Sequence, residues 1–180
     1  MAGIIAADTV TDSDKKHLVG AGDAPAVTVT HPLNANSEMT VRFLSRAAGM
    51  QRLGISEGHL PPGGEAFVYH SHATEEEFLY ILEGRGQLRV DNETVEVTAG
   101  DFIAFPTPSA AHQLTNPFSE TLVYLMGGEH HAAEVADFPD HHKRLFRTST
   151  DAYIVNHRDI SPLHTPTEAV PADTAGPADE

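Results

Sequence analysis

The sequence predicts an all-β protein, and three observations carry that prediction. Short apolar stretches with period-two alternation recur through the middle of the chain, and Gly and Pro punctuate them at regular intervals. No comparably strong helical period appears before about residue 132. Strands this short and this evenly spaced belong to sandwiches or barrels, and 180 residues give room for one such domain with tails.

Residues 1–40 hold two Lys and five acidic residues with little periodicity, but Val27 and Val29 alternate with Thr and predict an edge strand near 26–30. Leu53 and Ile55 alternate ahead of the breaker Pro61-Pro62-Gly63-Gly64, and Ala66, Val68, His70 and His72 share one parity. FLYIL (78–82) runs into the turn Glu83-Gly84-Arg85-Gly86. Leu88 and Val90 lead to the hairpin signal Asp91-Asn92, with Val95 and Val97 beyond it. Gly100-Asp101 precedes FIAF (102–105), and LVYLM (122–126) ends at Gly127-Gly128. Gly84, Gly86 and Gly100 read as turn residues. A short helix is expected near 131–137 or 140–147. From Pro162 to Glu180 there are four Pro, no aromatic residue and an acidic balance, the composition of a disordered tail. The chain thus divides into an N-terminal extension (1–40), a β-domain (41–147) and a C-terminal extension (148–180), largely disordered from about 162.

The formal net charge of −15 opposes a phosphate-tracking surface, so nucleic acid and anionic membrane surfaces are disfavoured as partners. No apolar run approaches a membrane span, and MAGIIAAD lacks the basic start of a secretory signal, so a cytoplasmic location is expected. Cys is absent, which excludes disulfides, thiolate metal ligation and a Cys nucleophile.

The chain carries 12 His, and their placement is informative. His70-Ser71-His72 sets two imidazoles at i and i+2, which on a strand face the same way and can reach one ion. Alone this pair is weak, because at this His content it arises by chance. Its context is much more specific: Gly64 precedes, Glu77 follows His72 after four residues, and Gly84 follows Glu77 after six. The His strand then supplies two neutral nitrogen donors, the chain reverses through 73–76, and the next strand supplies a carboxylate. Glu75, Glu76 and Glu77 are adjacent; spacing to Gly84 favours Glu77, with Glu76 as the alternative. A second cluster, Gly100, Pro106, His112 and Asn116, adds a third imidazole. Three imidazoles and a carboxylate form a mixed site for a divalent ion such as Fe2+, Mn2+, Ni2+ or Zn2+. On an octahedral ion four protein donors leave two positions for substrate, water or dioxygen.

The segment GGEAFVYHSHATEEEFLYILEG resembles the first motif of the cupin superfamily, with Gly64, His70, His72, Glu77 and Gly84 at the family positions. GDFIAFPTPSAAHQLTN resembles the second, through Gly100, Pro106, His112 and Asn116. The resemblance covers roughly residues 49–127. It implies a double-stranded β-helix (jelly-roll) barrel and a divalent metal held by His70, His72, Glu77 and His112. AEVADFPDHHKRL is similar to the ending of small single-domain cupins that carry provisional names such as sugar phosphate isomerase. One departure stands in the second motif, where Pro108 replaces the usual Gly and one extra residue precedes His112.

Among the remaining histidines, His59 shares parity with Leu53 and Ile55. If those face the interior, His59 enters the pocket as an acid–base group. His130-His131 and His141-His142 are adjacent pairs that point apart on a strand and chelate poorly. Leu79, Ile81, Val68 and Leu114 have the parity to wall the pocket with apolar surface. The leading expectation is a mononuclear-metal enzyme for a small oxygenated molecule, leaning toward a dioxygenase-type oxidoreductase. A metal-dependent sugar or sugar-phosphate isomerase or epimerase and a non-catalytic small-molecule binder are the alternatives. Uncovered sheet edges make a homodimer the expected assembly.

Overall fold

A computed structural model of the chain describes residues 17–20 and 22–163. Thirteen strands succeed one another among the described residues: β1 (Val27–His31), β2 (Asn34–Arg42), β3 (Leu53–Leu60), β4 (Ser71–His72), β5 (Glu77–Glu83), β6 (Arg85–Val90), β7 (Glu93–Thr98), β8 (Phe102–Phe105), β9 (His112–Thr115), β10 (Leu122–Glu129), β11 (Ala133–Phe138), β12 (Lys143–Thr148) and β13 (Ala152–Asn156). One helical turn, α1 (Leu44–Ala47), links β2 to β3. The architecture is all-β, as the strand pattern predicts, and it is the double-stranded β-helix that the resemblance implies.

Six strands form one antiparallel sheet in the order β1-β2-β3-β10-β5-β8, with β1 on its edge. A four-stranded sheet, β13-β12-β11-β4, and a three-stranded sheet, β7-β6-β9, make the other layer. The two are joined where His70, just ahead of β4, bridges His112 at the start of β9. The His70 N–H donates to the His112 carbonyl at 3.1 Å, and the His112 N–H returns the bond at 2.7 Å. Both layers contribute to a single core: Met39, Val41, Leu60, Ile81, Leu122 and Tyr124 from the larger sheet meet Leu88, Val97 and Leu114 from the smaller one.

The inward parity of β3 is opposite to the expected one. Ser56, Gly58 and Leu60 are buried, whereas Leu53 is 44% exposed. The reason is steric. A Cβ on Gly58 would lie 2.8 Å from the Tyr124 ring and 2.9 Å from the Met39 methyl, so this inward position must be bare. Two small residues on the inner face hide the interior parity, and a one-residue change of parity moves every side chain to the other side.

The expected helix near 131–147 is also corrected. That segment forms β11 and β12, joined by a 3-10 turn at Pro139–His141 with His142 at φ 51°. Along β11 the buried residues are Glu134, Ala136 and Phe138, a clean period of two. A buried Glu in the first of these positions conceals the pattern. Gly84 and Gly100 do sit at positive φ, but Gly86 lies within β6. There the Thr115 carbonyl and Leu122 leave no room for a side chain. The tail expected to be disordered lies, beyond residue 163, outside the described residues.

Candidate metal centre

His72 in β4, Glu77 at the head of β5 and His112 at the head of β9 are brought together with His70 by the bridge that joins the sheets. The Nε2 atoms of His70, His72 and His112 lie 3.6, 3.2 and 3.3 Å from one atom, Glu77 Oε2. Donor atoms of His70, Glu77 and His112 all fall within 4.8 Å of one another. Glu77, not Glu76, points into the cluster: Glu76 is exposed, and its N–H donates to the Glu129 carboxylate at 3.2 Å.

The ring nitrogens facing away from the cluster define the tautomers. His70 Nδ1 lies 2.8 Å from the Val68 carbonyl, and His112 Nδ1 lies 3.0 Å from the Ala110 carbonyl. A carbonyl only accepts, so Nδ1 of each neutral ring carries the proton and Nε2 presents a lone pair to the cluster. Phe105 stacks on His112 with ring centroids 3.5 Å apart and planes 7° from parallel, which fixes that ring's tilt. His72 differs, since both of its ring nitrogens are buried and neither makes a hydrogen bond.

Burial alone would push the Glu77 carboxyl up; hydrogen bonds from His112, His70 and His72 outweigh it and hold the group below the usual carboxylate range for as long as those rings carry Nε2 protons, in the metal-free site. Burial lowers His112 and keeps it neutral, more strongly than the Glu77 contact raises it. One carboxylate therefore faces three nitrogen donors. A divalent transition metal fits this donor set: it would satisfy His72 Nε2, one of two ring nitrogens there without a partner, and would bring the Nε2 atoms and the carboxylate onto one ion.

The cavity over these donors is small, about 60 Å³, and mostly apolar, walled by Phe67, Phe78, Leu79, Leu114, Tyr124 and Met126. Leu79 and Leu114 thus line it as expected, while Val68 and Ile81 are buried away from it. No Lys or Arg is among the described residues of its wall. Phe67 is held at φ 54°, and Asn34 Nδ2 anchors it by donating to the Phe67 carbonyl at 2.7 Å.

His59 does not enter this cavity. It sits on the outer face of β3 in a separate surface groove of about 460 Å³ with Ala26, Glu38, Arg42 and Thr121, where its Nε2 lies 2.7 Å from Glu57. The acid–base role expected for it rested on the β3 parity corrected above.

Several residues of the site were not singled out from the sequence. Glu134 lies buried behind His72, Glu75 pairs with Arg147, and Ser109 brackets the His72 backbone. The Ser109 Oγ accepts from the His72 N–H at 2.7 Å, and the Ser109 N–H donates to the His72 carbonyl at 2.9 Å. The remodelled turn, with its cis Thr107–Pro108 bond, therefore pins a proposed ligand strand.

A jelly-roll barrel with three imidazoles and one carboxylate converging at its mouth defines a class of metal-binding β-barrels. Residues 56–128 match the family described as the cupin domain, and the chain belongs to the cupin superfamily. A provisionally named sugar phosphate isomerase from Acidithiobacillus ferrooxidans is 34% identical with a TM-score of 0.79. The match covers 84% of this chain and 99% of that one. A second solved structure, a cupin-superfamily sugar phosphate isomerase from Silicibacter pomeroyi, matches with a TM-score of 0.68 at 24% identity, over 78% of this chain and 90% of that one. An uncharacterised protein of Methanocaldococcus jannaschii is 44% identical over 62 residues, or 34% of this chain. The match spans about half (48%) of that relative's length.

Proposed function

We propose that the protein is a mononuclear-metal cupin enzyme acting on a small, uncharged, oxygenated organic molecule. In this reading His70, His72, Glu77 and His112 hold the ion. The observation that supports it most directly is the convergence of three Nε2 atoms on Glu77 Oε2, at 3.2 to 3.6 Å, beneath an apolar cavity. A bound ion would supply Lewis acidity toward a diol or hydroxy-carbonyl oxygen and, if redox-active, access to oxygen chemistry. Phe67, Leu79 and Met126 wall the donors with apolar surface, which strengthens electrostatics at that point. Glu77 stays ionised, and the Nδ1 contacts of His70 and His112 keep their rings in the donating tautomer.

Oxygen chemistry of a dioxygenase type is the reading we favour. A phosphate group needs a cationic anchor, and the described cavity wall carries none. The second reading, a sugar or sugar-phosphate isomerase, is favoured by the name of the 34%-identical relative. The deciding experiment is elemental analysis of the purified protein, then oxygen-electrode and aldose–ketose assays on iron- and manganese-loaded samples with small diols, enediols and hydroxy-ketones. Oxygen uptake supports the first reading. A flat electrode with ketose formation reverses the order, and bound ligand without turnover in either assay leaves a binding protein.

A further inference from the structure

His72 is the odd member of the cluster. His70 and His112 each place Nδ1 against a backbone carbonyl, a neutral dipole within two residues of the same chain segment. His72 Nδ1 faces a side chain sixty-two residues away: Glu134 Oε1 lies 3.4 Å from it. The pairing of β4 with β11 sets this approach, with His72 opposite Ala136 and Glu134 two residues further along the same strand. The Glu134 side chain is 1% exposed, so its charge is removed from water.

Three donors hold that carboxylate in place. The Ala73 and Thr74 N–H groups donate to Oε1 at 2.9 and 3.3 Å, and the Thr74 hydroxyl donates to Oε2. Glu75, the other buried carboxylate nearby, is engaged by Arg147 and by the His131 N–H at 2.5 Å. Glu134 Oε1 is thus the carboxylate oxygen beside His72 Nδ1, 3.4 Å away and just outside hydrogen-bond geometry.

We propose that Glu134 is a positioning residue for the metal centre: it accepts a hydrogen bond from the Nδ1–H of His72 when an ion is bound, so that Nε2 is fixed as the donor. This rests on the metal reading given above. A buried imidazole with neither nitrogen bonded is costly, because both ring nitrogens have lost water and gained nothing in exchange. The arrangement resolves both sides of the ring together: the ion takes Nε2 and the carboxylate takes Nδ1–H. A charged acceptor makes the opposite ring nitrogen more basic than a carbonyl does, so His72 becomes the strongest nitrogen donor of the three.

The test uses Co(II) alone as the probe on the full-length chain, with thermal melting and far-UV circular dichroism alongside. Glu134→Gln removes the charge and keeps the volume. We expect Co(II) affinity to fall about 10- to 100-fold and the visible bands of the Co(II) protein to shift. In a His72→Ala background, Glu134→Gln should weaken Co(II) no further. Thr74→Val, which removes a bond to Glu134 without touching His72, should change affinity less than about 3-fold. A Glu134→Gln protein that binds like wild type, or whose loss persists in full beside His72→Ala, overturns the proposal. A wild-type chain that takes up no Co(II) instead overturns the metal reading itself. A second measurement needs no variant: in the Zn(II)-loaded protein with 15N-labelled His, the His72 Nδ1 proton should resonate well downfield of those of His70 and His112. A His72 bonded through Nδ1, or a proton that coincides with the other two, also overturns it.

Discussion

Each of the four proposed ligands is held by something other than its neighbours in the cluster. His70 and His112 are set by backbone carbonyls, His72 by Ser109 on its backbone and Glu134 behind its ring, and Glu77 by its place in β5 between β10 and β8. Removing one donor should therefore cost metal and spare the barrel. His70→Ala, His72→Ala and Glu77→Gln are each expected to lose stoichiometric metal while keeping the β-type circular dichroism spectrum; full occupancy in the His70→Ala/His72→Ala protein would refute the assignment. Leu122 gives the contrast. It is fully buried between Gly86 and the core of the larger sheet, so Leu122→Ala should lower stability by about 2–5 kcal/mol in urea unfolding, with the ligand geometry intact. A loss below about 1 kcal/mol would mean the site collapses around the missing methyls.

At the scale of elements, the turn before β9 and the pair β4–β11 decide how the site is built. Because Ser109 bonds the His72 backbone from both sides, the extra residue in this turn is a structural part of the site. Deleting one residue from Ser109–Ala111 should slip His112 to the opposite face and lose the metal as completely as His112→Ala does; a deletion variant that keeps full metal content would show the turn to be a neutral bulge.

A second prediction belongs to β11. Arg144 donates to Asp137 at 2.8 and 2.7 Å and lowers its carboxyl; burial opposes this, and His157, at 2.9 Å, adds to the lowering. A carboxyl depressed in the folded state contributes stability above its ordinary pKa of 3.8 and loses it as the pH falls below that value. Melting temperatures of the metal-free protein should therefore drop between about pH 5 and pH 3, and Asp137→Asn should flatten that limb. Equal slopes in the two proteins would remove Asp137 from the acid transition.

These elements also show what was readable in advance. His70, His72, Glu77 and His112 were visible because two sit at i and i+2 of one short extended segment and the rest at fixed spacings along the chain. The parity of β3 was hidden because its inner face is made of Ser56, Gly58 and Leu60, and small residues carry no hydrophobic signal. Glu134 was hidden for a different reason. Nothing local marks a Glu in AEVADF as buried, and its role appears only when β11 pairs with β4 across some sixty residues.

At the scale of the whole molecule, charge and exposed apolar surface act against each other. The outer face of the six-stranded sheet is polar over β2 and β3 but carries an apolar patch toward β5 and β8, where the solvent side of an antiparallel sheet is ordinarily polar. Phe102 is 63% exposed and stacks on Phe78, with ring centroids 5.7 Å apart; Tyr80, Leu82 and Leu53 are exposed on the same sheet. Such a face suits self-association, and a homodimer through it is the assembly we expect. Each copy also carries a formal charge of −15, so two copies repel at long range. An interface made of ion pairs would weaken as salt is added. One made of apolar surface between two acidic chains should tighten, because ions screen the repulsion and leave burial untouched, with a Debye length of about 10 Å at 0.1 M and about 3 Å at 1 M. Light scattering behind size exclusion should therefore show a dimer whose dissociation constant falls with added NaCl. Phe102→Glu should shift it to monomer, since the change both removes aromatic area and places a charge within the apolar patch on the β8 edge. A Phe102→Glu protein that keeps the dimer mass would move the interface elsewhere. The next surface to test would be the β1 edge, by deleting residues 1–36.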